Sequence, residues 1–162
     1  MPKTTYRLII ENACYHIMTR GNRKQRIFMD ENDYYAYLAR LRKYKLECKF
    51  LLYGFCLMPN HVHLFGEPKT KDGLAKFMLR LNRSYTAYFN TKYDKVGHLW
   101  QGRFKSKVII KDDYLIKCLQ YIELNPVRMN ISESIDEYKW SSYKERALIQ
   151  QPKIKTLDKL CI

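Results

Sequence analysis

The chain has 162 residues, enough for one domain with a core of its own and too few for two. Hydrophobic residues make up 46% and charged residues 28%, which excludes a disordered chain. A formal net charge of +14 argues against a basic partner and points to a polyanion, nucleic acid before membrane.

Fourteen tyrosines and two tryptophans accompany the charge, and rings beside cations suit unstacked bases and their phosphates. The five cysteines form no CxxC pair, so reduced thiols are expected rather than a disulfide framework or zinc knuckle. The first residues lack the long apolar stretch of a signal peptide, and no run approaches a membrane span. A soluble, cytoplasmic protein without membrane contact is expected.

Residues 1–13 read as an irregular lead-in, and Cys14 to Thr19 as a first strand. Next comes a turn crowded with Arg20, Arg23, Lys24 and Arg26, a candidate phosphate-gripping loop. Asp30 or Asn32 can cap a helix over about 31–46, with Tyr34, Tyr37, Leu38, Leu41 and Tyr44 at helical spacing. Lys49 to Leu57 reads as a strand that Gly54 can bulge, and Met58-Pro59-Asn60 as a turn. His61 to Gly66 then closes a hairpin.

Asp72 opens a second helix running to about Tyr93. Leu74, Phe77, Met78, Leu81, Tyr85 and Tyr88 form its apolar face, and Lys76, Arg80 and Arg83 fall largely on another. After an irregular segment, Arg103 to Ile110 reads as a strand with a basic side. Asp112 or Asp113 caps a third helix, whose apolar side is Tyr114, Leu115, Cys118, Leu119 and Ile122. Asn125-Pro126 should end it, because a residue before proline avoids helical geometry. A short helix over 140–148 and a loosely held tail follow.

This order predicts an α+β fold: a ferredoxin-like βαββαβ sandwich with an antiparallel sheet, helices on one face and an appended C-terminal catalytic helix. One domain spans 1–162, with a core of about 14–143 and an extension over 144–162.

His61 and His63 flank Val62, so on a strand both imidazoles share one face while the valine turns inward. Two neutral imidazoles are most of a minimal metal site. On the third helix, Tyr121 and Asn125 stand about 40° apart on one side, whereas Glu123 points about 200° away from Tyr121. If Tyr121 faces the histidines, the third ligand from this helix is the Asn125 amide oxygen. Glu123 is the alternative if the helix ends early. His16 and His98 read as a strand and a loop residue rather than ligands, and Tyr114 as a packing residue. Arg20, Arg23, Lys24, Arg26, Arg83, Arg103, Lys105 and Lys107 are the candidate DNA contacts. Trp100 is either a base-stacking ring or a buried anchor.

Four motifs carry a resemblance: MPNHVHL (58–64), LWQGRF (99–104), YIELNPVR (121–128) and WSSY (140–143). The chain resembles the single-tyrosine HUH transposases, most of all the REP-associated tyrosine transposases. The resemblance implies Tyr121 as nucleophile and His61, His63 and Asn125 as ligands of Mg²⁺ or Mn²⁺. Asn125 stands where many relatives have glutamine. The implied activity is metal-dependent cleavage and rejoining of single-stranded DNA through a 5′-phosphotyrosine, at palindromic hairpin repeats. Insertion-sequence relatives act as dimers that exchange tyrosine helices, and REP-associated ones can act as monomers, so a homodimer stays open. Two competing readings are a domesticated, non-catalytic nucleic-acid binder of the same fold and a zinc hydrolase.

Overall fold

Four strands and two long helices alternate as the hydrophobic periodicity predicts: β1 (Cys14–Arg20), α1 (Glu31–Glu47), β2 (Phe50–Met58), β3 (His61–Pro68), α2 (Gly73–Lys92) and β4 (Lys105–Ile109). Then come α3 (Asp113–Glu123), α4 (Asn125–Arg128) and α5 (Tyr143–Arg146). The computed structural model describes residues 9–10, 12–110, 113–147 and 156–160. Asp112, offered as a helix cap, lies outside these, as do Leu148 and the side chain of Asp113. Among the described residues no helix is long and apolar enough to cross a membrane.

The sheet is antiparallel throughout, in the order β2-β3-β1-β4. Side chains alternate across it. Ile17, Leu52, Val62 and Leu64, all wholly buried, belong to the core under α1 and α2. Phe50 stacks on Phe77 of α2, with ring centroids 4.4 Å apart. The opposite face carries His16, His61 and His63 and is covered at the β2 end by α3. Gly54 makes that contact close, since a Cβ there would collide with Leu119 of α3. The expected bulge lies beside it, between Leu52 and Gly54.

The outer edge of β2 is not left open. Leu57 N–H donates to the Trp140 carbonyl at 2.8 Å and Ser142 N–H to the Phe55 carbonyl at 2.9 Å. The tail reading fails for residues 156–160. The Asp158 carboxylate accepts from Leu52 N–H at the bulge and from Lys45 Nζ, both at 2.8 Å, and Thr156 is buried. A bulge frees ladder groups that need partners, and this segment supplies one.

Two further expectations are corrected. The third helix does end just ahead of Asn125-Pro126, at Glu123, but Asn125 is itself helical: after a break at Leu124 a further turn runs through Arg128, with Pro126 in the first turn of α4. A missing N–H costs nothing there. Tyr114 is not a packing residue; it lies in the first turn of α3, 62% exposed. The last short helix covers only 143–146.

Asp30, not Asn32, caps α1, in a reciprocal box with Asp33. Asp33 is fully buried and also accepts from Lys92, Tyr88 and Tyr93 of the α2 end, at 2.7–3.0 Å. Burial pushes its carboxyl up, but the hydrogen bonds from Lys92, Tyr93, Met29 and Tyr88 outweigh it and hold it below the ordinary 3.8. A carboxyl lowered by folding stabilises fully above its unfolded pKa and loses that contribution as pH falls through the folded value. Asp33→Asn should therefore cost about 2 kcal/mol at pH 7, a gap that shrinks below the ordinary 3.8. Urea unfolding of both proteins at pH 7 and pH 3 measures it.

Candidate active site

Strand register builds the histidine cluster. His63 faces Met18 and Cys56 across the sheet, and His61 faces Arg20 and Met58. His16 faces Phe65 and so lies diagonal to His63, within reach of a long side chain. His16 Nε2 and His63 Nδ1 are 2.8 Å apart, and their rings stack with centroids at 5.0 Å. His61 Nδ1 lies 2.6 Å from Asn60 Oδ1. Asn60 is itself oriented by Nδ2, which donates to the Lys24 carbonyl at 3.3 Å. The Pro-Asn turn before the pair thus sets an imidazole as well as reversing the chain.

All three imidazoles are held below their ordinary pKa, chiefly by burial. Lys107 adds to this at His16 and Arg20 at His61. His63 is pushed down to about 3 by burial, then by His16 and His61. Neutral imidazoles are the form that binds cations.

Tyr121 of α3 meets this face within the same chain. Its ring is edge-on to His16 and His63, with centroids 6.1 and 6.5 Å away. It is 42% exposed. The Arg128 guanidinium of α4 lies over its ring, Cζ 4.6 Å from the centroid.

Asn125 shares the tyrosine's side of the helix, but its amide nitrogen is turned onto the backbone. Nδ2 donates to the Tyr121 carbonyl at 3.0 Å and the Ile122 carbonyl at 3.2 Å. Residue 126 would serve the Ile122 carbonyl in an unbroken helix, and proline cannot. The Asn125 side chain fills that gap and keeps only its oxygen for anything else.

Glu123 points away, as the helical wheel requires, and is fully buried. Arg146 grips it with Nε at 3.0 and 3.1 Å and Nη2 at 2.6 Å, and Ser142 Oγ donates to it at 2.7 Å. Phe55 N–H of β2 donates in turn to Ser142 Oγ at 2.9 Å. Glu123 is therefore committed to a clamp between α3, β2 and α5.

The DNA-contact candidates divide. Arg20, Lys105 and Lys107 share the histidine face, since Lys107 is the partner of His16 and Lys105 of Met18. Arg23, Lys24 and Arg26 are on the turn after β1. Arg83, Trp100 and Arg103 line a groove beside α2 instead. Trp100 is anchored, with Nε1 donating to the Asn82 carbonyl at 3.2 Å, yet half-buried. His98 stays a loop residue on that groove.

Sequence reasoning missed two residues. His16 needed the β1–β3 register, which no local pattern encodes. Arg128 stands seven positions after Tyr121, two turns along one face. That spacing was readable, but ending the helix at proline hid it.

The family described as "Transposase IS200 like" matches residues 9–125, and the chain belongs to it. A Haemophilus influenzae protein named as a candidate REP-associated tyrosine transposase is 31% identical, the match covering 62% of this chain and 64% of that protein. The chain thus spans less than two thirds of the length of this curated relative. The fold is shared with a REP-associated tyrosine transposase bound to a REP hairpin, at a TM-score of 0.73 with 14% identity over 99% of each chain. A candidate transposase of Deinococcus radiodurans R1 matches at a TM-score of 0.51 with 17% identity, over 74% of this chain and 95% of that one.

Breaking the clamp from its charged end should be costly. Arg146→Ala leaves the Glu123 carboxylate buried without its cation and should lower stability by about 3 kcal/mol. Its rescue by the paired change Glu123→Gln, read by denaturant midpoints, separates the buried charge from lost packing.

Proposed function

We propose that this chain is a transposase that cuts and rejoins single-stranded DNA at hairpin-bearing sequences through a 5′-phosphotyrosine on Tyr121. The observation that carries the reading is the half-exposed Tyr121 ring edge-on to His16 and His63, 6.1 and 6.5 Å away, in one chain. A second copy is not needed to bring these groups together, which favours a monomer.

The residues fit a divalent cation, Mg²⁺ or Mn²⁺. No three His, Cys, Asp or Glu side chains are placed to hold a metal among the described residues, so the donors must be mixed. His61, with its Nδ1 proton on Asn60, keeps a lone pair on Nε2. In the tautomer in which its Nδ1 donates to His16 Nε2, His63 does the same, and a partner on the far nitrogen is what orients a ligating imidazole. The Asn125 oxygen is the remaining protein donor. When bound, such a cation supplies charge stabilisation to phosphate oxygens.

The chain's own residues do the rest. The Tyr121 hydroxyl attacks phosphorus and loses its proton, and the bond to the 3′ oxygen breaks. That oxygen takes up a proton and leaves as a 3′-OH, while the 5′ phosphate stays on tyrosine. No water enters, so a returning 3′-OH can reverse the step without another energy source. Arg128 sits where it can bind a phosphate oxygen beside the phenol, and Arg20, Lys105 and Lys107 continue the positive face along the strand.

A labelled single-stranded hairpin substrate with Mn²⁺, resolved on a denaturing gel, tests this. Wild type should form a covalent adduct and Tyr121→Phe none. Arg128→Ala should slow adduct formation by roughly a hundredfold. Adduct from the Tyr121→Phe protein sinks the assignment.

A further inference from the structure

A sizeable cavity lies away from the histidine face. It is an open groove of about 970 Å³ between α2 and the 97–104 loop, lined by Asn82, Arg83, His98, Trp100, Arg103 and Phe104 among others. Its loop is pinned by Trp100 Nε1 on the Asn82 carbonyl and by Asn22 N–H on the Leu99 carbonyl at 2.8 Å. Gly97 and Gly102 stand at positive φ, 87° and 65°, and bend it over the helix.

The lining has one chemical character. It holds two arginines and a histidine but no carboxylate, and neither arginine has a carboxylate partner among the described residues. Trp100, Phe104 and the exposed Leu79 supply flat and apolar surface. Asn82 lies beneath them: Nδ2 reaches Thr19 Oγ1 at 3.5 Å, and the buried Oδ1 has no donor among the described residues. Cations and rings without acids match a nucleotide: phosphate for the arginines, a base face for the rings.

The groove also communicates with the histidine face. Arg20, which pairs with His61 across the sheet, donates from Nε to Gln101 Oε1 at 3.0 Å, and Gly21 bridges Trp100. A strand crossing His61 and Arg20 reaches the loop directly.

We propose that this groove captures an unstacked base of the single-stranded DNA flanking the cleavage site, with Arg83 and Arg103 on the adjoining phosphates. This rests on the reading of the chain as a single-strand DNA transposase. It adds a second grip, remote from the reacting atoms, that holds one flank while Tyr121 works on the other.

The test uses the full chain carrying Tyr121→Phe and a 30-nucleotide degenerate single strand with one central 5-iododeoxyuridine. Long-wave ultraviolet irradiation should attach the strand to the 97–104 segment, located by mass spectrometry. The double change Arg83→Ala/Arg103→Ala should weaken binding roughly tenfold or more and reduce the salt slope by about 0.7 for each phosphate no longer neutralised. Arg80→Ala, paired with Glu47 away from the groove, should change neither. Crosslinks confined to β1 and β4, or an unaltered salt slope in the double variant, overturn the proposal. So does full displacement by equimolar thymidine monophosphate, which would mark a mononucleotide site. The adduct gel is read separately. Loss of adduct with groove crosslinks kept sinks the chemistry alone, and the reverse sinks the groove alone.

Discussion

The buried Glu123 carboxylate decides which way α3 faces. Arg146 and Ser142 hold it, and Ser142 is fastened to the β2 backbone by Phe55 N–H. A glutamate locked toward β2 leaves the tyrosine two residues earlier no choice but the other side, over the histidines. Gly54 lets the two pack closely, because a Cβ there would displace the Leu119 side chain and crowd Ser142 Oγ. The WSSY segment is thus the far jaw of a clamp whose near jaw carries the phenol.

The second constraint is the helix break. A proline one residue after Asn125 costs α3 a hydrogen bond, and the asparagine amide replaces it on the Ile122 carbonyl. The path then continues far enough to lay Arg128 across Tyr121. Asn125 therefore has a structural task before any other. An aspartate there would keep the oxygen but lose the donor, leaving a buried carbonyl unserved.

Much of the fold was legible in the sequence. The tyrosine and leucine spacing of 31–46, the alternation through His61–Leu64 and the Gly54 bulge are local patterns, and local patterns suffice for element type. The side of Glu123 was also readable, because helical geometry fixes it whatever the surroundings. What failed was set by partners distant in the chain. His16 looks like any strand residue until β1 and β3 are in register. The grip on residues 156–160 depends on Lys45 and the bulged Leu52 N–H, more than a hundred positions away. Arg83 and Arg103 read as part of one basic surface, yet the sheet separates them from Lys105 and Lys107, because its two faces diverge where the 97–104 loop turns the corner.

The two sheet margins are treated differently. β2 is sealed by its own chain, through Trp140–Ser142 and Asp158. β4 is short and carries Lys105 and Lys107, and among the described residues no other strand pairs its outer edge. Such a margin invites another protein to extend the sheet, and lysines deter that by repelling a second copy of so cationic a molecule. In the proposed function, the same lysines attract a phosphodiester chain. Under the proposed function one pair of side chains thus serves both solubility and binding, and neutralising them to improve binding selectivity would raise the risk of fibres.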